Sequence, residues 1–353
     1  MTTSVVFSPI YYRHNPGRRH PESAERLRTM VRDLKVFEST HLERMQFVEP
    51  VEAQPPDVEL VHERSYIRTV EDACKAGGSV LDAEGDTVVT YASCEVALHA
   101  VGGTLRAVDL VMDGVYQNAF ALVRPPGHHA GRDYARGFCI FNNVALAAEY
   151  LLRKFGMKRV LILDIDAHHG NGTQEIFYKT DRVLYVSLHE DPRVFPGTGF
   201  VGEIGEGEGL GYNVNVPLPF GSGDQIYLRA FQEIAQPIVE LFKPEFVLVS
   251  TGLDGHYTDP VGSLSLSIAG YREVLRTIVN LASALSRGRL VCVLEGGYSL
   301  SFLGKIGTTV VAEMSSTSCE IADHCPRISE SVGKESEKII GEVKRTLDKF
   351  WDL

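Results

Sequence analysis

Short apolar stretches rich in β-branched residues punctuate the chain at residues 5–7, 119–123, 160–163, 183–188, 214–216, 246–250 and 290–294. Most are continuous in hydrophobicity and do not alternate, the pattern of strands buried on both faces of a parallel sheet. Between them, residues 94–112, 144–155, 225–241 and 269–285 read as helices. Strand and helix alternating over this length predict an α/β fold, a three-layer α/β/α domain around a mainly parallel central sheet. No linker, low-complexity tract or internal repeat divides the chain, so residues 1–353 are expected to form a single domain. Residues 329–353 are charged, with Ile339, Ile340, Val343, Leu347 and Phe350 near helical spacing. That spacing predicts a C-terminal helix that lays its apolar stripe on the domain. The Gly/Glu-rich stretch 202–211 suits an exposed loop better than a phosphate cradle, because its glutamates would repel phosphate.

Composition narrows the class. Hydrophobic residues make up 44% and charged residues 23% of 353, which excludes disorder as the main state. The net charge of −11 opposes bulk attraction to a phosphate backbone, so no direct nucleic-acid binding is expected. Six cysteines (Cys74, Cys94, Cys139, Cys292, Cys319 and Cys325) form no CxxC pair, and Cys292 sits in an apolar run. They read as reduced, mostly buried thiols of a reducing compartment. The N-terminus has no basic region followed by a long apolar core, and no apolar run approaches the ~20 residues that span a bilayer. A cytoplasmic location away from membranes is therefore expected.

Ligands of an open parallel sheet bind beyond the carboxyl ends of its strands, so the residues just past each apolar run matter most. Residues 119–123 lead into Arg124-Pro125-Pro126-Gly127-His128-His129, and 160–163 into Asp164-Ile165-Asp166-Ala167-His168-His169-Gly170-Asn171. Residues 246–250 lead into Thr251-Gly252-Leu253-Asp254, and 290–294 into Glu295-Gly296-Gly297-Tyr298. Four strand ends thus deliver His, Asp and Tyr to one rim. One such ending would mean little; four together lack a purely structural explanation.

Asp164, Asp166 and His168 alternate, so on an extended segment their side chains share a face. Two carboxylates and an imidazole held together would repel or titrate unless a cation sat among them. Asp166, His168 and Asp254 would supply three N/O ligands and leave a fourth position open, the arrangement of a catalytic zinc. Such a set also accepts Fe²⁺ or Co²⁺. Beside a metal, His128 and His129 become candidates for acid–base work. Tyr298, after two glycines, could reach a developing oxyanion.

These residues carry a resemblance. Pro125-Pro126-Gly127-His128-His129, Gly137-Phe138-Cys139, Asp164-Ile165-Asp166-Ala167-His168-His169-Gly170, Phe195-Pro196-Gly197-Thr198-Gly199, Asp254 and Gly296-Gly297-Tyr298 resemble the zinc-dependent histone deacetylase family. That family includes acetylpolyamine amidohydrolases and acetoin-utilisation proteins, and its fold is shared with arginases. His20-Pro21-Glu22 with Arg26 resembles its opening motif, and the correspondence runs in order from His20 to Tyr298. The resemblance implies Asp166, His168 and Asp254 as metal ligands, His128 and His129 as active-site histidines, and Tyr298 as oxyanion donor. It implies Asp164 as the partner of His128 and Asn171 as the partner of His129. An Asn at that second place is the pattern of the second eukaryotic class and many prokaryotic members. Gly137, Phe138 and Phe195 match walls of an acyl-lysine tunnel. Asp164, Asp166, His168, Ser187 and Leu188 match a structural potassium site near the zinc. Phe177, Thr180, Val183 and Tyr212 match a second, more distant potassium site.

Two departures refine the expectation. Gly170 stands where the arginases' second metal needs an Asp, which argues against a binuclear manganese site. Val261 follows Asp259-Pro260 where polyamine-specialised eukaryotic relatives carry Glu, although bacterial polyamine enzymes gain selectivity by other means. The expected activity is a zinc-dependent amidohydrolase removing acetyl or another acyl group from lysine side chains of proteins. The alternatives are deacetylation of acetylpolyamines or other small N-acyl amines, and a silent acyl-lysine binding protein. Retention of Tyr298 and of all three ligands speaks against silence.

Overall fold

The computed structural model describes residues 2–321 and 323–353. Its strands are β1 (Thr3–Val6), β2 (Met45–Val48), β3 (Gly78–Val80), β4 (Val88–Thr90), β5 (Asn118–Ala121), β6 (Val160–Asp164), β7 (Val183–Glu190), β8 (Asn213–Leu218), β9 (Phe246–Thr251) and β10 (Leu290–Leu294). Eight of them form one sheet in the order β2-β1-β5-β10-β9-β6-β7-β8. Every pairing in it is parallel. β5 through β10 are almost wholly buried, which explains their continuous apolar pattern. β3 and β4 form a separate antiparallel pair.

Helices cover the sheet, giving the three-layer α/β/α architecture. Ser93–Met112 and Asn143–Lys154 pack on each other and on strands, while Ala24–Thr40, Leu303–Met314 and Ile268–Leu285 form another packed group. Ser267 caps the last of these by accepting the Gly270 N–H at 3.2 Å, as a Ser at that position is suited to do.

Three expectations change. The helix expected at 225–241 is interrupted: Asp224–Ala230 passes through a π-helical turn, Phe231–Ala235, into Gln236–Phe242. Pro237 lacks the N–H for an ordinary i→i−4 bond, so the widened turn falls where the ladder is already broken. The C-terminal helix Glu330–Trp351 buries Ser336, Ile340, Val343, Leu347 and Trp351, whereas Ile339 and Phe350 are only partly buried. Trp351 is the anchor, donating its indole N–H to the Gly211 carbonyl at 2.7 Å. Finally, Cys74, Cys139 and Cys292 are buried, but Cys94 and Cys319 are half-buried and Cys325 is exposed. The burial inferred for the thiols holds for Cys74, Cys139 and Cys292 and fails for Cys94 at the start of its helix and for Cys319 and Cys325 near the C-terminus. Among the described residues, no helix is long and apolar enough to cross a membrane.

Candidate active site

The four strands whose endings drew notice, β5, β10, β9 and β6, are consecutive neighbours at the centre of the sheet. Being parallel, they release their carboxyl ends at one edge, and a cavity of about 370 Å³ opens there. Gly137, Phe138, Phe195 and Val261 line it together with His128, His129, Asp166, His168 and Tyr298. The Phe195 ring stands edge-on to His129, centroids 4.9 Å apart, and Phe138 stands edge-on to Tyr298 at 5.8 Å. Phe138 is held at φ 68°, a left-handed conformation that costs a bulky residue of order ~1 kcal/mol or more. Reciprocal Arg136–Cys139 backbone bonds and a bond from the Phe138 N–H to Thr87 Oγ1 (3.0 Å) hold it there. A Cβ on Gly137 would collide with the His129 ring, so glycine is required before it.

Asp166, His168 and Asp254 converge, their donor atoms all within 4.8 Å of one another. His168 Nδ1 lies 3.3 Å from Asp166 Oδ1 and 3.2 Å from Asp254 Oδ2. Both carboxylates are buried, and the His168 side chain is 11% exposed. Backbone N–H groups fix them: Gly296 donates to Asp166 Oδ2 at 2.8 Å and Ala167 to Asp254 Oδ1 at 2.9 Å. Glycines at 252 and 296 make room, since a Cβ at either would overlap these carboxylates. Burial and the charge of Asp166 push Asp254 up to about 7. Two buried carboxylates in repulsion beside an imidazole nitrogen form a donor set that fits a divalent cation.

Asp164 does not join that cluster. β6 ends at Asp164, and the chain bends at Asp166 and beyond, so the shared face expected from alternation is lost. Its carboxylate pairs with His128 Nδ1 at 3.0 Å and accepts the Tyr185 hydroxyl at 3.0 Å. His129 Nδ1 faces Asn171 Oδ1 at 2.8 Å. The two imidazoles are 3.9 Å apart but electrically unlike. Burial alone would lower His128, yet Asp164 and then Asp166 overcome it and hold the group up at about 10. Burial and the neighbouring His128 charge drive His129 well below 6.5. Burial likewise keeps the Tyr298 hydroxyl protonated, with the Arg26 guanidinium 4.7 Å over its ring.

The residues matched to potassium sites gather in two neighbourhoods along β7. Asp164 is the register partner of Ser187, with Leu188 next, and Asp166 and His168 follow in the adjoining loop. Toward the other end of β7, the Thr180 N–H bonds the Phe177 carbonyl at 3.2 Å, Val183 begins the strand, and the Tyr212 carbonyl accepts the Tyr185 N–H at 3.0 Å.

Several site residues had no role assigned from sequence. Glu295 Oε2 accepts the N–H groups of Gly127 (2.6 Å) and His128 (3.1 Å), fixing the turn that presents both histidines. His128, Cys139 and Glu295 also lie within 4.8 Å of one another. That set holds a single carboxylate, and burial pushes the Cys139 thiol well up and keeps it protonated, so we assign no metal there. Glu22 joins Arg26 and Arg124, all fully buried. Asp86 and Glu190 add carboxylates to the cavity wall. The strand-end positions of Glu295 and Glu190 and the Glu22/Arg26 motif were the available signals; Asp86 had none.

Comparison with known proteins agrees with this geometry. Residues 20–314 match the family model described as the histone deacetylase domain. The chain is 42% identical over 364 residues to a probable deacetylase of Archaeoglobus fulgidus, covering 99% of each chain. It is 38% identical over 304 residues to the histone deacetylase-like amidohydrolase of Pseudomonas aeruginosa, covering 86% of this chain and 79% of that one. The crystal structure of the HDA15 HD domain is similar with a TM-score of 0.88 and 32% identity, over 99% of this chain and 95% of the other.

Proposed function

Because this chain belongs to the histone deacetylase family and is a hydrolase acting on amides, we propose that it removes acetyl or other acyl groups from lysine side chains of proteins. One observation carries the reading: the Asp166–His168–Asp254 cluster borders a cavity flanked by Phe138 and Phe195, with a neutral His129 beside it. Residues 1–353 act as one catalytic unit in this reading, the C-terminal helix included, on acyl-lysine proteins or peptides in the cytoplasm, without nucleic-acid or membrane partners.

Asp166, His168 and Asp254 would hold one divalent cation, zinc in our assignment, with Fe²⁺ and Co²⁺ compatible with the same donors. Such an ion supplies Lewis acidity toward the scissile carbonyl and toward water. His129, neutral because it is buried beside a cation, takes the proton of the attacking water and returns it to the leaving amine. His128, held charged by Asp164, offers positive charge to the developing anion. Tyr298 donates its hydroxyl to the tetrahedral oxyanion, an interaction stronger in the transition state than in the ground state. Phe138 and Phe195 sheathe the methylene stem of the lysine. The carbonyls along β7 would hold structural potassium, near Asp164, Asp166, His168, Ser187 and Leu188 and near Phe177, Thr180, Val183 and Tyr212.

A second substrate, an acetylpolyamine, is favoured by one feature: the Asp86 and Glu190 carboxylates on the cavity wall suit a further ammonium group. Purified metal-loaded protein should be assayed on an acetyl-lysine peptide, longer acyl-lysine peptides and N-acetylputrescine. Higher kcat/KM on acyl-lysine peptides is expected; a preference for N-acetylputrescine would replace the lysine reading with the second.

A further inference from the structure

We infer that Asp259 is a positioning residue for Tyr298, clasping the loop that carries the oxyanion donor to the loop that carries Asp254; the inference rests on the role proposed above for Tyr298.

After β10 the chain reaches Tyr298 through Gly296 and Gly297, the latter at φ 116°. Two successive glycines give this approach little conformational preference of its own, so something else must fix where the tyrosine stands. Asp259 does so from across the site. Its Oδ2 accepts the N–H of Tyr298 at 2.6 Å and of Ser299 at 3.0 Å. Its Oδ1 accepts the N–H of Val261 at 3.0 Å and of Gly262 at 3.3 Å. One carboxylate therefore satisfies amides on both loops. A second tie lies alongside, Thr258 Oγ1 to Ser299 Oγ at 2.6 Å. Both ties grip the backbone of the Tyr298 segment or the side chain next to it. The tyrosine hydroxyl stays free for substrate, and Asp259 acts through its placement.

Asparagine at 259 is close in shape but keeps only one acceptor oxygen and turns an NH₂ donor toward amide donors. Asp259→Asn should open one side of the clasp while leaving Asp166, His168 and Asp254 untouched. The test is a double-mutant cycle on the full, metal-loaded chain: parent, Asp259→Asn, Tyr298→Phe and the pair together. Metal content is measured on each. A misplaced catalytic group costs about 10²-fold, so Asp259→Asn should lower kcat by about that factor with KM within about twofold. Its metal content should equal the parent's. On the Tyr298→Phe background the same change should alter kcat by less than about twofold, because the hydroxyl it positions is gone.

Equal fold losses on both backgrounds, or loss of metal in Asp259→Asn, would overturn the clasp. Tyr298→Phe at the parental rate would remove the oxyanion reading and the clasp with it. A slow Tyr298→Phe with multiplicative losses would remove the clasp alone. If Asp259→Asn does not fold, Asp259→Ser, which removes the carboxylate that bridges the two loops, decides by the same cycle. A loss in kcat confined to the tyrosine background supports the inference, and no loss or an additive one overturns it.

Discussion

His129 Nδ1 lies 2.8 Å from the neutral carboxamide oxygen of Asn171, whereas the adjacent His128 faces the carboxylate of Asp164 at 3.0 Å. Donating its Nδ1 proton to Asn171 leaves His129 Nε2 bare as an acceptor, and burial favours that neutral form. His128, held at about 10, has no proton to accept near neutrality. His129→Ala should therefore lower kcat more than His128→Ala, within the ~10²–10⁴-fold range of general-base loss. A base lowered in pKa works down to low pH. Asn171→Asp places a charge beside it, raises that pKa, and should move the acid limb of the kcat/KM profile to higher pH. An unmoved limb, or equal losses at both histidines, would leave His129 without the role of base.

Among the described residues, the metal cluster comprises three donors, Asp166, His168 and Asp254. Replacing Asp166, His168 or Asp254 by Ala should abolish metal binding and activity together, since three protein donors are the minimum for an open catalytic site. Atomic absorption on the purified variants reads the first loss and peptide deacetylation the second. Asp254→Ala protein that keeps a full metal equivalent would mean that this ligand is wrongly assigned.

Much of this site is visible in the chain because a parallel sheet converts sequence position into spatial position. Polar residues directly after buried runs must emerge at one edge, which brings His128, Asp166, Asp254 and Tyr298 together although they lie far apart in sequence. The partition among neighbours is less legible. Alternation put Asp164 with Asp166 and His168, but the strand stops at Asp164 and the bend beyond it sends its carboxylate to His128. Asp259 and Glu295 escaped assignment because their partners are backbone amides, which leave no mark in the side-chain pattern. The β3–β4 pair went unseen for a different reason: β3 is an exposed Gly-Ser-Val of three residues, too short to form a hydrophobic pattern. In the C-terminal helix Ser336, Ile340, Val343, Leu347 and Trp351 follow one another at helical spacing and are buried, which leaves Phe350 at the edge of the stripe.

The tunnel assignment is tested by volume. Phe195 packs edge-on to both His129 and His168, with centroids 4.9 and 5.9 Å away, so it bounds the cavity beside the reacting groups without offering a ligand atom. Phe195→Ala should raise KM and lower kcat for an acetyl-lysine peptide while metal content stays at the parental level. Unchanged kinetics would dismiss Phe195 as a wall.

Glu22 links the site to the stability of the fold. Its Oε1 accepts from Arg124 Nε at 2.6 Å and Arg26 Nη1 at 3.0 Å, and all three side chains are buried. Arg26 continues to the carbonyls of Gly297, at 2.6 Å, and Glu295, so it braces the loop that bears Tyr298. Burial by itself would raise the Glu22 pKa, but Arg124, His14 and Arg26 outweigh it and lower the group from 4.5 to about 2. A folded-state pKa below the unfolded value contributes stability that is complete above 4.5 and fades as pH falls toward about 2. Removing the one anion between two buried cations exposes them to uncompensated desolvation. Glu22→Gln should therefore cost about 3–5 kcal/mol at neutral pH. Urea unfolding of parent and variant across pH provides the check. The gap between them should be constant above 4.5 and narrow steadily below it, as the parent's own Glu22 takes up a proton. A gap that persists unchanged into the acid range would show that Glu22 contributes by shape and not by charge.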